Sequence, residues 1–471
     1  MNTSPGSSQL PKSQTSWLSL LQLVLSALGA LLLLSVAFVI VTTDFAQQIF
    51  QVIAGADRTQ SYMVAASLAF AGILFLPSAW YAWKHITHPE AVPAIRAEPR
   101  RFGLLLTIVV VVLVSGALLL GDRVSRDTRI AWLVLPPLNI LATGLPALWL
   151  VYFGTRDLIP GSPSRKWGVF TSGLVLSPVI ILVLEFIVLI FMGILAILWI
   201  LLDPSLSGQF NSLIYRLQNA GTNPETYLRI MMPLILNPGI IILMFAFVSV
   251  IVPMIEEALK PVGMWFLVGQ KITPAQGFGY GVLSGVGFGL FENLGNTSSG
   301  GEAWALLAST RISTLLLHCL NAGLVGWALA SAWSQRRYLR LVVTYFFAIL
   351  LHGLWNGMAV MSFFSSLESF TNLPVPNLLV RAGSLSTIGI ILLGAFNLVF
   401  FIAFNTALRR SLGELYITPK DTPSLVSASG ENPPPGSSPA PTPHTGSPPE
   451  PQPGTPDPLE GEKPPAHTEA G

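Results

Sequence analysis

Ten apolar runs separated by polar stretches set the pattern of this chain. They lie at about residues 17–41, 62–83, 102–121, 130–153, 170–202, 238–268, 277–295, 305–333, 341–363 and 385–408. At about 1.5 Å of helical rise per residue, runs of this length match a hydrocarbon core of about 30 Å. The pattern predicts an all-α, polytopic membrane bundle of about ten transmembrane helices. The first run is too long for a signal-peptide core and ends without a small-residue cleavage pattern, so it is expected to be retained. The run at 170–202 is over-long, which implies strong tilt or a break near Pro178. Residues 203–235 read as a polar connection with an interfacial helix around Tyr227 to Leu236.

Polar segments flank the apolar ones. Residues 1–16 are rich in Ser and Pro and read as a disordered tail, and 17–235 as an N-terminal transmembrane region with its polar connection. Residues 236–409 read as a second transmembrane bundle, and 410–471 as a Pro/Ser/Gly-rich, disordered cytoplasmic tail. Basic residues orient the spans. Lys84, Arg96, Arg100 and Arg101 share one loop, and Arg156, Arg165 and Lys166 a second. Lys271, then Arg336, Arg337 and Arg340, then Arg409 and Arg410 follow on the same side as Lys12. With ten spans the positive-inside rule places both termini in the cytoplasm, as expected of a multi-pass protein of the plasma (cytoplasmic) membrane.

Composition agrees. Of 471 residues, 52% are hydrophobic and only 10% charged, against about 25% charged in soluble domains. The net charge of +2 gives no argument for a nucleic-acid partner. A single cysteine, Cys319, excludes an internal disulfide and any multi-cysteine metal centre.

Against this background the charged residues inside apolar runs carry the chemistry, because a charge at mid-bilayer costs roughly 2.5–3.5 kcal/mol on insertion scales. Glu256, Glu257 and Lys260 fall in one run, Glu292 and Asn293 in the next, Arg311, His318 and Asn321 in a third, and His352 and Asn356 in a fourth. Counted from the helix ends, Glu256, Glu292, His318 and His352 lie roughly 17–24 Å deep, near one level. Glu256 and Lys260, and His352 and Asn356, are i,i+4 pairs, and His318 and Asn321 an i,i+3 pair, each sharing a helix face. Glycines crowd the run bearing Glu292 (Gly277, Gly279, Gly281, Gly285, Gly287, Gly289), which permits close helix approach. Counting Glu185, four buried carboxylates face Lys260 and Arg311, an excess that calls for protonation or a bound cation. A carboxylate of raised pKa suits acid–base work on water. Two Glu and two His (Glu256, Glu292, His318, His352) could instead hold Zn²⁺ or another divalent metal. The residues alone do not choose.

These stretches resemble a known family. Glu256-Glu257-Ala258-Leu259-Lys260 fits the EExxK motif of the PrsW intramembrane proteases. Gly287-Phe288-Gly289-Leu290-Phe291-Glu292-Asn293 is similar to their second motif, and Arg311 through His318 to Gly326 to their Arg-then-His helix. His352-Gly353-Leu354-Trp355-Asn356 resembles the closing motif, with Asn at a position that is often Asp. The match in order and spacing spans about residues 253–357, and the family is distantly related to the CAAX prenyl endoproteases. The resemblance makes 236–409 a PrsW-like catalytic bundle. It implies hydrolysis of peptide bonds in membrane-embedded or membrane-proximal proteins, with a single-span substrate as partner besides the lipid bilayer. Glu256 or Glu257 would activate water, His318 and His352 would polarise the carbonyl or hold an oxyanion or metal, and Glu292 would join them. Lys260, Asn293, Arg311, Asn321 and Asn356 would support.

Blander readings stand beside these. Glu292 and the histidines could serve helix-packing hydrogen bonds, Lys260 could be a counter-ion or snorkel, and Arg311 could neutralise one carboxylate. Glu185 could be a gate or a counter-ion to Arg311. Cys319 is a poor nucleophile candidate, since it points about 100° from His318. An ion- or proton-coupled transporter is the competing function, as is an inactive scaffold that binds single-span proteins.

Overall fold

Lipid offers no partners to backbone N–H and C=O groups, so each apolar run must satisfy its own. Accordingly, every regular element among the described residues is helical. The structure, a computed structural model, describes residues 17–49, 58–88, 100–158, 163–220, 224–270, 272–299, 301–371 and 375–416. The N-terminal segment 1–16, the Pro-rich segment from 417 onward, and Arg96 and Lys271 lie outside the described residues.

The chain opens with α1 (Trp17–Ile49), α2 (Thr59–Thr87), α3 (Arg100–Val124) and α4 (Thr128–Thr155). Next come α5 (Pro163–Thr171) and α6 (Ser177–Leu202), then α7 (Pro204–Gln218) and α8 (Pro224–Ile235). The third group is α9 (Pro238–Ala246), α10 (Val252–Leu259) and α11 (Val262–Trp265). It is followed by α12 (Pro274–Thr297), α13 (Trp304–Gln335), α14 (Tyr338–Thr371) and α15 (Asn377–Tyr416). The expected connection at 203–235 thus holds two helices: α8 covers the interfacial helix that was read there, and α7 was not anticipated.

Nine of the described segments are long and apolar enough to cross a membrane, and the protein is an integral, multi-pass membrane protein. Glycine-rich α12 is not among the nine, although it is a continuous helix where the run at 277–295 was expected. It is enclosed instead: nearly every residue from Ala275 to Leu290 is buried. α13 is equally central, with 83% of its apolar window buried, against 17% for α1 and α3 and 11% for α15. Gly281 and Gly285 explain how α12 and α13 approach so closely. A Cβ on Gly281 would sit 2.1 Å from the Ala322 carbonyl oxygen, and one on Gly285 2.6 Å from that of His318. A capping box starts α12: Thr273 Oγ1 accepts from Gln276 N–H at 3.3 Å, and Gln276 Oε1 accepts from Thr273 N–H at 3.0 Å.

Two spans are interrupted by wider π turns, at Ser172–Leu176 and Phe247–Ile251. Each lies just before a proline, Pro178 or Pro253. Proline has no N–H to give and its ring crowds the carbonyl four residues back, and a wider turn accommodates both. The over-long run at 170–202 is therefore broken at its start. The expectation of one helix over 238–268 is corrected more strongly, because α10 ends at Leu259 and the chain turns at Lys260-Pro261. Here too proline withholds a donor. Ser177 Oγ donates to the Leu259 carbonyl at 3.0 Å and Ser284 Oγ to that of Lys260 at 2.5 Å, so the broken end is satisfied by neighbours.

Candidate active site

The broken end of α10 holds three ionisable groups together. Lys260 follows Glu256 and Glu257 by one turn, so its ammonium reaches both carboxylates. Nζ is 2.9 Å from Glu256 Oε2 and 2.7 Å from Glu257 Oε1. Lys260 and Glu257 are fully buried, and the ring of Phe288 lies 4.9 Å from Nζ. Lys260 is thus a buried counter-ion and does not snorkel to an interface.

α14 adds His352. Its Nδ1 lies 2.7 Å from Glu257 Oε1, the oxygen that also takes Lys260. The 3.3 Å between Lys260 Nζ and His352 Nδ1 follows from two donors sharing one acceptor. The other ring nitrogen, Nε2, is 3.8 Å from Glu256 Oε2.

α12 and α13 supply a second, parallel arrangement. Glu292 Oε2 is 2.6 Å from His318 Nε2 and 2.8 Å from Arg311 Nη2. Arg311 Nε donates to Asn293 Oδ1, and Asn293 Nδ2 donates to the Arg311 carbonyl, both at 2.9 Å. That interlock fixes the guanidinium behind Glu292, and Glu292, not Glu185, is the partner of Arg311. The rings of His318 and His352 meet edge to face, with centroids 5.4 Å apart.

These contacts assign the ring protons. A carboxylate already paired with Lys or Arg is an acceptor, so the imidazole hydrogen sits on the nitrogen that touches it. His318 therefore carries its proton on Nε2 and His352 on Nδ1. Each ring keeps one lone-pair nitrogen, and Nδ1 of His318 is buried without any hydrogen-bond partner. One ligand atom from each of Glu256, His318 and His352 lies within 4.8 Å of the others.

The donor set fits a divalent cation. Two neutral imidazole lone pairs and a carboxylate are common zinc ligands, and each imidazole is backed by a carboxylate, as in carboxylate–histidine–metal arrangements. The orphaned Nδ1 of His318 is the observation that asks for a partner. Charge points the same way, since among the described residues Glu256, Glu257 and Glu292 pair with two cationic side chains, Lys260 and Arg311. Glu185, on α6 packed against α10, adds a buried Oε1 that has no hydrogen bond.

The remaining sequence candidates lie around this cluster and tie its helices. Asn321 Nδ2 donates to the Ala348 carbonyl of α14 at 3.0 Å. Asn356 Nδ2 donates at 3.0 Å to the Val248 carbonyl, inside the π turn that precedes Glu256. Cys319 is buried and free. Sequence reasoning missed Ser177, Ser284 and Tyr345, whose hydroxyls take backbone carbonyls of Leu259, Lys260 and Met254. Pro261 inside an apolar run was the available signal for the end of α10, whose last carbonyls then need other donors; it gave no hint of Tyr345.

Compared with known proteins, residues 167–379 match the PrsW family intramembrane metalloprotease model. The match extends N-terminal to the motifs seen in the sequence and takes in α6, the π turn before it and most of α5. No curated protein and no solved structure matches the chain.

Proposed function

Taking the PrsW-family resemblance of residues 167–379 as premise, we propose that this protein is an intramembrane peptidase. It hydrolyses peptide bonds of membrane-embedded or membrane-proximal proteins. The observation that carries the reading is the convergence of Glu256, His318 and His352, with ligand atoms within 4.8 Å and each histidine backed by its own carboxylate.

Glu256, His318 and His352 are the residues that would hold a divalent cation such as Zn²⁺. When bound, such a cation supplies Lewis-acid polarisation of a carbonyl and of water. Glu292 and Glu257 hold the two imidazoles in the tautomers that present lone pairs. Glu257 acts through His352, since its oxygen is committed to Lys260 and His352 in a dry setting. Of the adjacent pair, Glu256 is the one that reaches water, its side chain 10% exposed against 0% for Glu257, and without a cation it would be the group placed to take the proton from an attacking water. Lys260 steadies both carboxylates and keeps adjacent negative charges from repelling each other.

Substrate backbone must be unwound where it is cut, because a helix keeps its carbonyls hydrogen-bonded. The helix group bearing Glu256 lies at the rim of the bundle, with 6% of its apolar window buried. A cavity of about 460 Å³ beside it runs between Ser249 and Gly353, Gly357 and Met358 of α14. We assign to this side the lateral path of a single-span substrate, with Gly or Pro near the scissile bond easing its unwinding.

The test is purification in detergent, metal analysis, and cleavage of a panel of single-span peptides by wild type and Glu256→Gln. Cleavage by wild type and its loss in a folded, inserted Glu256→Gln supports the reading. Equal cleavage by both proteins overturns it.

A further inference from the structure

A second cavity, of about 390 Å³, lies apart from this cluster, between α1, α2, the α5–α6 segment and the stretch that follows α11. Its lining changes character from one end to the other. Ser19, His85, Arg165 and Gln270 lie toward one end, whereas Gly29, Phe75, Val175 and Val179 lie toward the other. Three helices give the same gradient over the same distance. α1 runs from Ser19 to Gly29, α2 from His85 back to Phe75, and the α5–α6 segment from Arg165 to Val175. Ten residues of helix span about 15 Å, which is half of a hydrocarbon core of about 30 Å. The cavity is therefore as deep as one leaflet, polar where a headgroup lies and apolar where an acyl chain lies.

The polar end is built. Ser19 Oγ and His85 Nδ1 are 3.1 Å apart. Gln22 Nε2 donates to the Ser164 carbonyl at 2.9 Å, and Ser164 Oγ donates back to Gln22 Oε1 at 3.2 Å. Deeper in, Ser26 Oγ donates to Ser78 Oγ at 2.9 Å, and Ser78 Oγ and Thr171 Oγ1 are 3.2 Å apart. These bonds hold α1 and α2 to the α5 segment and shape the walls without filling the space between them. The lining contains a guanidinium and an imidazole but no carboxylate.

We propose that this cavity is a binding site for one anionic phospholipid. Its phosphate is met by Arg165, with His85 and Ser19 beside it, and an acyl chain lies along Leu25, Val175 and Val179. A basic pocket between transmembrane helices selects anionic headgroups by charge, and the apolar slot below selects a lipid over a free anion. The site joins α1 and α2, outside the family match, to the segment from residue 167 onward.

The experiment is native mass spectrometry of the full chain, purified in detergent and delipidated. It is titrated with phosphatidylglycerol, with phosphatidylcholine of the same acyl chains, and with inorganic phosphate. One phosphatidylglycerol per chain is expected, held about fivefold more tightly than phosphatidylcholine, the difference that one basic side chain supplies. Arg165→Gln should remove that preference, and Leu25→Trp, which fills the apolar slot from α1, should weaken both lipids. Equal retention of the two lipids by wild type would overturn the proposal, as would retention unchanged in both variants. Displacement of the lipid by millimolar phosphate would show an anion site only. Displacement by a single-span peptide would assign the cavity to substrate. Either result also overturns it.

Discussion

Glu292 Oε2 lies 2.6 Å from His318 Nε2, and this one contact decides which nitrogen of the ring is left with a lone pair. A glutamine at 292 keeps an acceptor but loses the charge that makes the ring's other nitrogen a stronger donor. Removing such a backing carboxylate typically lowers metal affinity 10–100-fold. We expect Glu292→Gln to bind Zn²⁺ about 10–100-fold more weakly than wild type while staying folded. Titration against a competing chelator reads this directly, and unchanged affinity would remove Glu292 from the site.

Lys260 should be worth more to the fold than any exposed ion pair. Lys260→Met leaves Glu256 and Glu257 adjacent, buried and without a cation. Breaking a buried pair from one side costs about 3–5 kcal/mol. Adding Glu257→Gln removes one of the two stranded charges, so the double variant should recover part of that loss. A double-mutant cycle in detergent unfolding would show a coupling larger than about 1 kcal/mol. Additive losses would mean that the contacts seen at 2.7 and 2.9 Å contribute little.

Metal content separates the ligands from their neighbours. Glu256→Gln, His318→Ala and His352→Ala should each lose bound metal, whereas Cys319→Ser should keep both metal and activity. Chelation should abolish cleavage and added Zn²⁺ should restore it. Elemental analysis alongside the peptide assay checks each arm, and full activity after exhaustive chelation would leave Glu256 working as a base without a metal.

Topology is the fourth expectation. If α12 crosses the membrane with the nine apolar segments, both termini are cytoplasmic. Tyr338→Cys should then label only from the inside and Asn296→Cys only from the outside. The reverse pattern, or labelling of both from one face, would break the alternation of basic loops on which the orientation rests.

The sequence made some of this legible because a bilayer penalises charge. Glu256, Glu292, His318 and His352 stood out against apolar surroundings, and counting helical rise put them at one depth. Rotation about the helix axis was not available in the same way. Depth does not say that His318 turns to Glu292 while His352 turns to Glu257, because those choices depend on how α12, α13 and α14 pack. Nor did the apolar run at 238–268 announce its break. Hydropathy is blind to a missing N–H, so the end of α10 became clear only with Ser177 and Ser284 on its freed carbonyls. Asn356 looked like a site residue because it shares a face with His352, yet it serves the backbone at Val248.

The enclosure of α12 has a consequence for how the protein is made. A helix too poor in large apolar side chains to be counted with the nine has little to gain from lipid on its own. Four of its glycines, Gly277, Gly281, Gly285 and Gly289, are useful against α13, which the ribosome delivers afterwards. α12 should therefore wait at or within the insertion machinery until α13 emerges, and the two should enter the bilayer as a hairpin. A chain truncated after residue 300 would then leave α12 unintegrated, and with it Glu292.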